Sequence, residues 1–310
     1  MMLLGLIPVA ASVVLALASG GLSRRLAPAV AVPLLTVLAL ATSLATGVVL
    51  CLAAFGAVAQ LPFLAERAGW SGGALAAGDL EPGWGLMAGA IALALLTAAI
   101  VFTIRAARDL ARADRACRQL GGLDRLVITH DDRPTAYAVP TRAGAIVVST
   151  GMLRLLGADE RRALLAHEDA HLRHRHGLYV LLADLAAAAN PLLRPLAGRV
   201  RLAVELHADE DAAAEIGDHR AVARALARAS LAVSAAGPGP HGSLAMAQTD
   251  ACARIRALTE PPRRRRSWAV AAALILILAS SATATTMTWA MHQRIETAQA
   301  VYAQAHGPVR

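Results

Sequence analysis

The amino-acid sequence predicts a mainly α membrane protein, with four transmembrane helices arranged three plus one and an α+β domain inserted between the third and the fourth on the cytoplasmic side. Three observations predict this class. The 310 residues are 56% hydrophobic with a mean hydropathy of +0.51, more apolar than a soluble domain of ordinary composition. Four uncharged apolar runs have the length, ~20 helical residues, that crosses ~30 Å of hydrocarbon. The basic charge is all arginine, since the chain has no lysine, and it gathers beside those runs as cytoplasmic flanks do.

The first run covers residues 1–22, contains Pro8 and ends at Ser23-Arg24-Arg25. Ala16-Leu17-Ala18 resembles a signal-peptide cleavage site, but no basic stretch precedes the run, so it reads as a span. The second covers residues 33–59 and ends at Gln60-Leu61-Pro62. A Gly-rich segment with Glu66, Arg67, Asp79 and Glu81 leads to the third run, residues 84–104, where Trp84 suits the interface. Arg105, Arg108, Arg112, Arg115 and Arg118 follow at helical spacing. The fourth run, residues 268–291, comes after Arg263-Arg264-Arg265-Arg266 and leaves a short tail, 292–310. Keeping the arginines inside puts both termini outside a plasma membrane and residues 105–267 in the cytoplasm.

A formal charge of +8 and a pI near 10.7 invite a nucleic-acid reading. Only 3% of residues are aromatic, and no zinc-finger spacing accompanies the arginines. The bilayer is the expected partner of the basic clusters, and no direct nucleic-acid partner is expected. Cys51, Cys117 and Cys252 have no CxxC spacing, which excludes a cysteine zinc site.

Within the inserted domain, β-branched runs at residues 126–129, 135–139 and 145–149 predict a small antiparallel sheet. The run 145–149 either offers its edge to an extended substrate or lies in the core. One helix is expected near Thr150 and the next from Asp159, with Asp159 and Glu160 in its first turn and Gly177 as its stop. The second contains His167-Glu168-Asp169-Ala170-His171. Histidines four apart share one helix face and can hold one zinc ion, and Glu168 beside the first ligand can take a proton from a water there. A third ligand is expected from Glu205-Leu206-His207-Ala208-Asp209, in a helical stretch at 199–216. Glu205 completes a His-His-Glu set for one Zn2+ per chain, and Asp209, a turn later, fixes a ligand imidazole. His207 points away from Glu205 and is unassigned, while His174 and His176 read as solvated or facing lipid headgroups. The oxyanion-stabilising group is open among Tyr137, Tyr179, His207 and His219.

These two motifs, with AIVVSTG at 145–151, resemble the BlaR/MecR-type integral-membrane zinc metallopeptidases, relatives of the HtpX and CAAX-prenyl endopeptidase zincins. The resemblance covers residues 115–216 well and the three-plus-one spans loosely. It implies a zincin-like (gluzincin) domain with zinc on His167, His171 and Glu205, Glu168 as catalytic base, and a cytoplasmic protein substrate. In some members that substrate is a transcriptional repressor, here expected to be a winged-helix protein. The large extracytoplasmic penicillin-binding domain of the β-lactam sensors has no counterpart in 292–310, so direct acylation is not expected. The preferred expectation is a zinc endopeptidase cutting a cytoplasmic regulator in a signalling response. The alternatives are an HtpX-like quality-control membrane protease and a non-catalytic sensor or scaffold with a structural zinc site.

Overall fold

The structure is a computed structural model that describes residues 6–76, 82–119, 125–140, 144–235, 244–260 and 267–307. The expected features at Asp79, Glu81 and Arg263–Arg266 lie outside the described residues. Helix α1, Ile7–Ser23, has Pro8 in its first turn, and α2, Pro28–Val58, follows after a short turn. Two short helices, α3 (Pro62–Ala68) and α4 (Gly72–Ala76), lead to α5, Pro82–Gln119. The third expected span and the arginine run behind it are one helix of 38 residues, about 57 Å long at the helical rise. Arginine and alanine are good helix formers, and the i,i+3 pair Arg112–Asp109 and the i,i+4 pair Arg118–Asp114 support the helix along its length. The last helix, α12, runs from Ser267 to His306, so the segment expected as a tail from residue 292 continues as helix.

Among the described residues, α2, α5 and α12 are long and apolar enough to cross a membrane, whereas α1, at 17 residues, is a shorter apolar helix. Four spans were expected and three meet the length. The apolar side chains of α5, among them Leu93, Leu96 and Ile100, are exposed in the isolated chain, the surface that a bilayer covers. Small residues let α5 approach α2 closely. A Cβ on Gly85 would lie 2.4 Å from the Ala57 Cβ and 2.7 Å from the Ala53 carbonyl oxygen, and one on Gly89 would lie 3.1 Å from the Ala54 Cβ.

Three strands follow: β1 (Leu126–Thr129), β2 (Ala136–Val139) and β3 (Ala145–Ser149). Their order is β1-β3-β2, with β3 parallel to β1 and antiparallel to β2. This corrects the expected all-antiparallel sheet. β1 and β2 do not form a hairpin because the turn between them is held to β3 instead. The Thr135 N–H donates to Ser149 Oγ at 3.0 Å, and that hydroxyl donates to the Arg133 carbonyl at 2.7 Å. A Cβ on Gly151 would lie 2.1 Å from the Asp132 carbonyl oxygen, so the turn closes only over glycine. All five residues of β3 are buried. The strand is central, and the edge facing the helices is that of β2, which packs on the helix Ala158–Arg173.

The remaining helices are α6 (Thr150–Leu155), α7 (Ala158–Arg173), α8 (His176–Ala189), α9 (Arg194–Ile216), α10 (His219–Ala235) and α11 (Leu244–Thr259), with a 3-10 turn at Pro191–Leu193. Helices α8 and α9 share one apolar core with α1, α2 and α12, in which Leu35, Leu38, Leu193, Leu196 and Val200 are fully buried. Asn190 ties this core together: its amide donates to Ser12 Oγ at 2.9 Å and to Thr46 Oγ1 at 3.3 Å. A second cluster, with Ala163, Ala166, Ala212, Val222 and Leu258, joins α7, α9, α10 and α11.

Candidate metal centre

Helix α7 starts where its sequence has acidic residues. Asp159 and Glu160 stand in the first turn, and the Glu160 carboxylate accepts from the Gly157 N–H at 2.9 Å and pairs with Arg228 at 2.8 Å. The helix ends at Arg173 rather than running on to Gly177. Arg175 has φ 52°, in the left-handed region, and this sharp turn starts α8 at once.

One turn apart on α7, His167 and His171 bring their Nε2 atoms to 3.1 Å. From α9, Glu205 places Oε2 3.6 Å from His167 Nε2 and Oε1 3.7 Å from His171 Nε2. Ligand atoms 2.0–2.1 Å from a tetrahedral zinc lie roughly 3.3 Å from one another. The three separations are near that value, the two to Glu205 ending on different oxygens of its carboxylate, and the donor set, two imidazoles and a carboxylate, suits zinc. The three expected ligands are brought together.

Asp209, a turn beyond Glu205, sets Oδ1 3.0 Å from His167 Nδ1, off the line of a well-formed hydrogen bond but close enough to pair. Sequence reasoning missed Arg254, on α11. Its Nε and Nη2 donate to Asp209 at 2.7 and 2.8 Å, and its Nη1 lies 2.8 Å from Glu205 Oε2. The available signal was periodicity, since Arg254 stands one turn before the buried Leu258.

Burial alone would lower the His167 pKa, but the carboxylates of Asp209 and Glu205 beside the ring outweigh it and raise the imidazole to about 9. Burial would raise Glu205, yet the neighbouring His167 ring and the Arg254 charge bring it down to about 2. His171 is lowered to about 4 by burial and then by the charge on His167. Glu168 is buried and pushed up by that burial, opposed by the His167 charge and by a hydrogen bond from the Ala138 backbone.

The centre opens on a cavity of about 810 Å³ lined by Thr135 to Ala138, Glu168, Leu226 and Asp250. Of the four expected oxyanion candidates only Tyr137 is among the residues lining it. His176 corrects the expectation of a solvated ring, whereas the His174 side chain remains 37% exposed. His174 Nε2 is 2.8 Å from Asp211 Oδ2. His176 is 1% exposed, with Nδ1 3.1 Å from His171 Nδ1 and Nε2 3.1 Å from His207 Nδ1.

Residues 102–193 match the model of peptidase family M48, a stretch that contains the α7 motif and stops before Glu205. Three similar proteins are each named "Protease HtpX homolog". That of Aeropyrum pernix is 38% identical over 71 residues, 22% of this chain and 22% of the relative. Those of Burkholderia cenocepacia (strain HI2424) and Burkholderia ambifaria (strain MC40-6) are 31% identical over 140 residues, 34% of this chain and 49% of each relative. The chain spans about half or less of the length of these curated relatives. No solved structure matches it. The matches point to peptidase family M48 and to HtpX-type proteases over this part of the chain, and not to the BlaR/MecR type in particular.

Proposed function

We propose that the chain is an HtpX-like membrane zinc endopeptidase that hydrolyses peptide bonds of protein substrates. The observation that carries this reading is the triangle of His167, His171 and Glu205, whose open side faces the cavity containing Glu168. A structural zinc site closes four positions with protein atoms, and a catalytic one leaves a position open. This favours an enzyme over a scaffold. The names of the relatives favour the HtpX-like reading over cleavage of a winged-helix repressor.

Bound zinc supplies a Lewis acid for the scissile carbonyl and acidifies the attacking water. Glu168 takes the proton from that water and delivers it to the leaving amine, and its upward pKa shift suits a group that must hold a proton between these steps. Asp209 and Arg254 hold His167 and Glu205 in place. Among the described residues the outer edge of β2 pairs with no strand and lines the cavity, so an extended substrate adds there as a further strand, read through its backbone. The arginine flanks support a cytoplasm-facing centre. As the test, purified protein in bilayer discs should cut unfolded casein, stop when a chelator strips zinc, and resume on adding zinc back. Cleavage that persists in the stripped protein would remove the reading.

A further inference from the structure

Beside this centre lies a group of ligating side chains that the peptidase reading does not use. His174 follows the last turn of α7, and His207 and Asp211 stand one turn apart on α9. Each offers one ligand atom, and these atoms lie within 4.8 Å of one another. The His174 and His207 rings are 4.4 Å apart, tilted by 32°, and His174 Nε2 already contacts Asp211 Oδ2.

We propose that His174, His207 and Asp211 form a second divalent-cation site, separate from the His167–His171–Glu205 centre, with water completing the shell. Two imidazoles and one carboxylate select zinc or a neighbouring transition ion over magnesium or calcium. The His174 and Asp211 side chains are 37% and 28% exposed, which leaves an entry path and freedom to close on an ion. Arg173 opposes the ion, with Nη2 3.4 Å from Asp211 Oδ2. That is its longest contact: it also holds Asp169 and Glu215 at 2.8 Å each and keeps both if it leaves Asp211.

His176 links the two sites, and this coupling rests on the zinc reading above. A His171 that gives Nε2 to a metal keeps its proton on Nδ1 and donates it to His176. His176 then donates from Nε2 to His207 Nδ1, which leaves the His207 proton on Nε2. A cation taken by His207 through Nδ1 breaks that link, and one taken through Nε2 reverses it. The coupling is reciprocal, so filling either site weakens the other; the first, with its more buried imidazoles, fills first and the second after it.

The test uses tag-free, full-length protein in bilayer discs, dialysed against stepped zinc concentrations, with bound metal counted by mass spectrometry. The wild type should load two zinc ions per chain in two steps. The double variant His174→Gln/Asp211→Asn should lose only the weaker step, and Glu205→Gln only the tighter. A single wild-type step unchanged in the double variant would overturn the second site and leave the proposed function standing. A single step that survives Glu205→Gln and vanishes in the double variant would uphold the second site and remove the peptidase centre.

Discussion

At the scale of single residues, the zinc reading makes the centre a competition between a proton and a metal for His167. The metal-free imidazole keeps its proton up to about pH 9 because Asp209 and Glu205 overcome the effect of burial, whereas His171 sheds its own near pH 4. Zinc needs the lone pair that this proton occupies, so loading between those limits releases a proton. Apparent zinc affinity should rise about tenfold per pH unit from pH 5 to 8 and level off above 9. Calorimetry in two buffers of different ionisation enthalpy measures the released proton; an affinity independent of pH would contradict the picture. Arg254 balances two carboxylates, one of them, Asp209, only 2% exposed. Arg254→Leu leaves that buried charge uncompensated and should destabilise the metal-free domain by about 3 kcal/mol. Adding Asp209→Leu should restore part of the loss in a denaturant titration. No restoration would mean that the pair does not act as a unit.

At the scale of elements, the edge of β2 joins fold to chemistry. The Ala138 backbone reaches Glu168, so Ala138→Pro should lower kcat/KM by about tenfold or more while zinc content stays the same. Unchanged peptide cleavage would show that the edge takes no part. The two metal motifs were legible in the sequence because their information is local: histidines four apart on one helix, and Glu205 and Asp209 four apart on another. Arg254 was not, since its partner Asp209 lies 45 residues back and only tertiary packing joins them. The burial of His176 was hidden because it follows from the left-handed backbone of Arg175, a residue without glycine's freedom. The sheet order was hidden too, since strand pairing is non-local, although Gly151 marked a close approach. Gly85 makes a similar mark between α2 and α5, and Gly85→Leu should push these helices apart and lower the thermal stability of the protein in detergent. An unchanged melting temperature would contradict that contact.

At the scale of the whole molecule, one of the two helices that carry the candidate ligands, α9, is also part of the apolar bundle. Helix α9 carries Leu196 and Val200 into the core with α1 and α2 and, further along, presents Glu205 and Asp209 to α7. Asn190 bridges α1 and α2 from the segment just before it. Asn190→Leu would leave Ser12 and Thr46 without that partner, and it should weaken the bundle and the centre together, read as a parallel fall in melting temperature and zinc retention. Loss of one without the other would separate them. The arginine flanks of α1 and α5 make a cytoplasmic orientation of the centre a matter for a topology reporter fused after Arg256: a cytoplasmic signal is expected, and an extracytoplasmic one would move the site to the other face. The most direct test of the central claim is a paired measurement on Glu168→Gln in bilayer discs, zinc content beside casein cleavage. A zinc peptidase that uses Glu168 as its base predicts full zinc content with cleavage reduced by about a thousandfold or more. Undiminished cleavage by the zinc-loaded variant would contradict it.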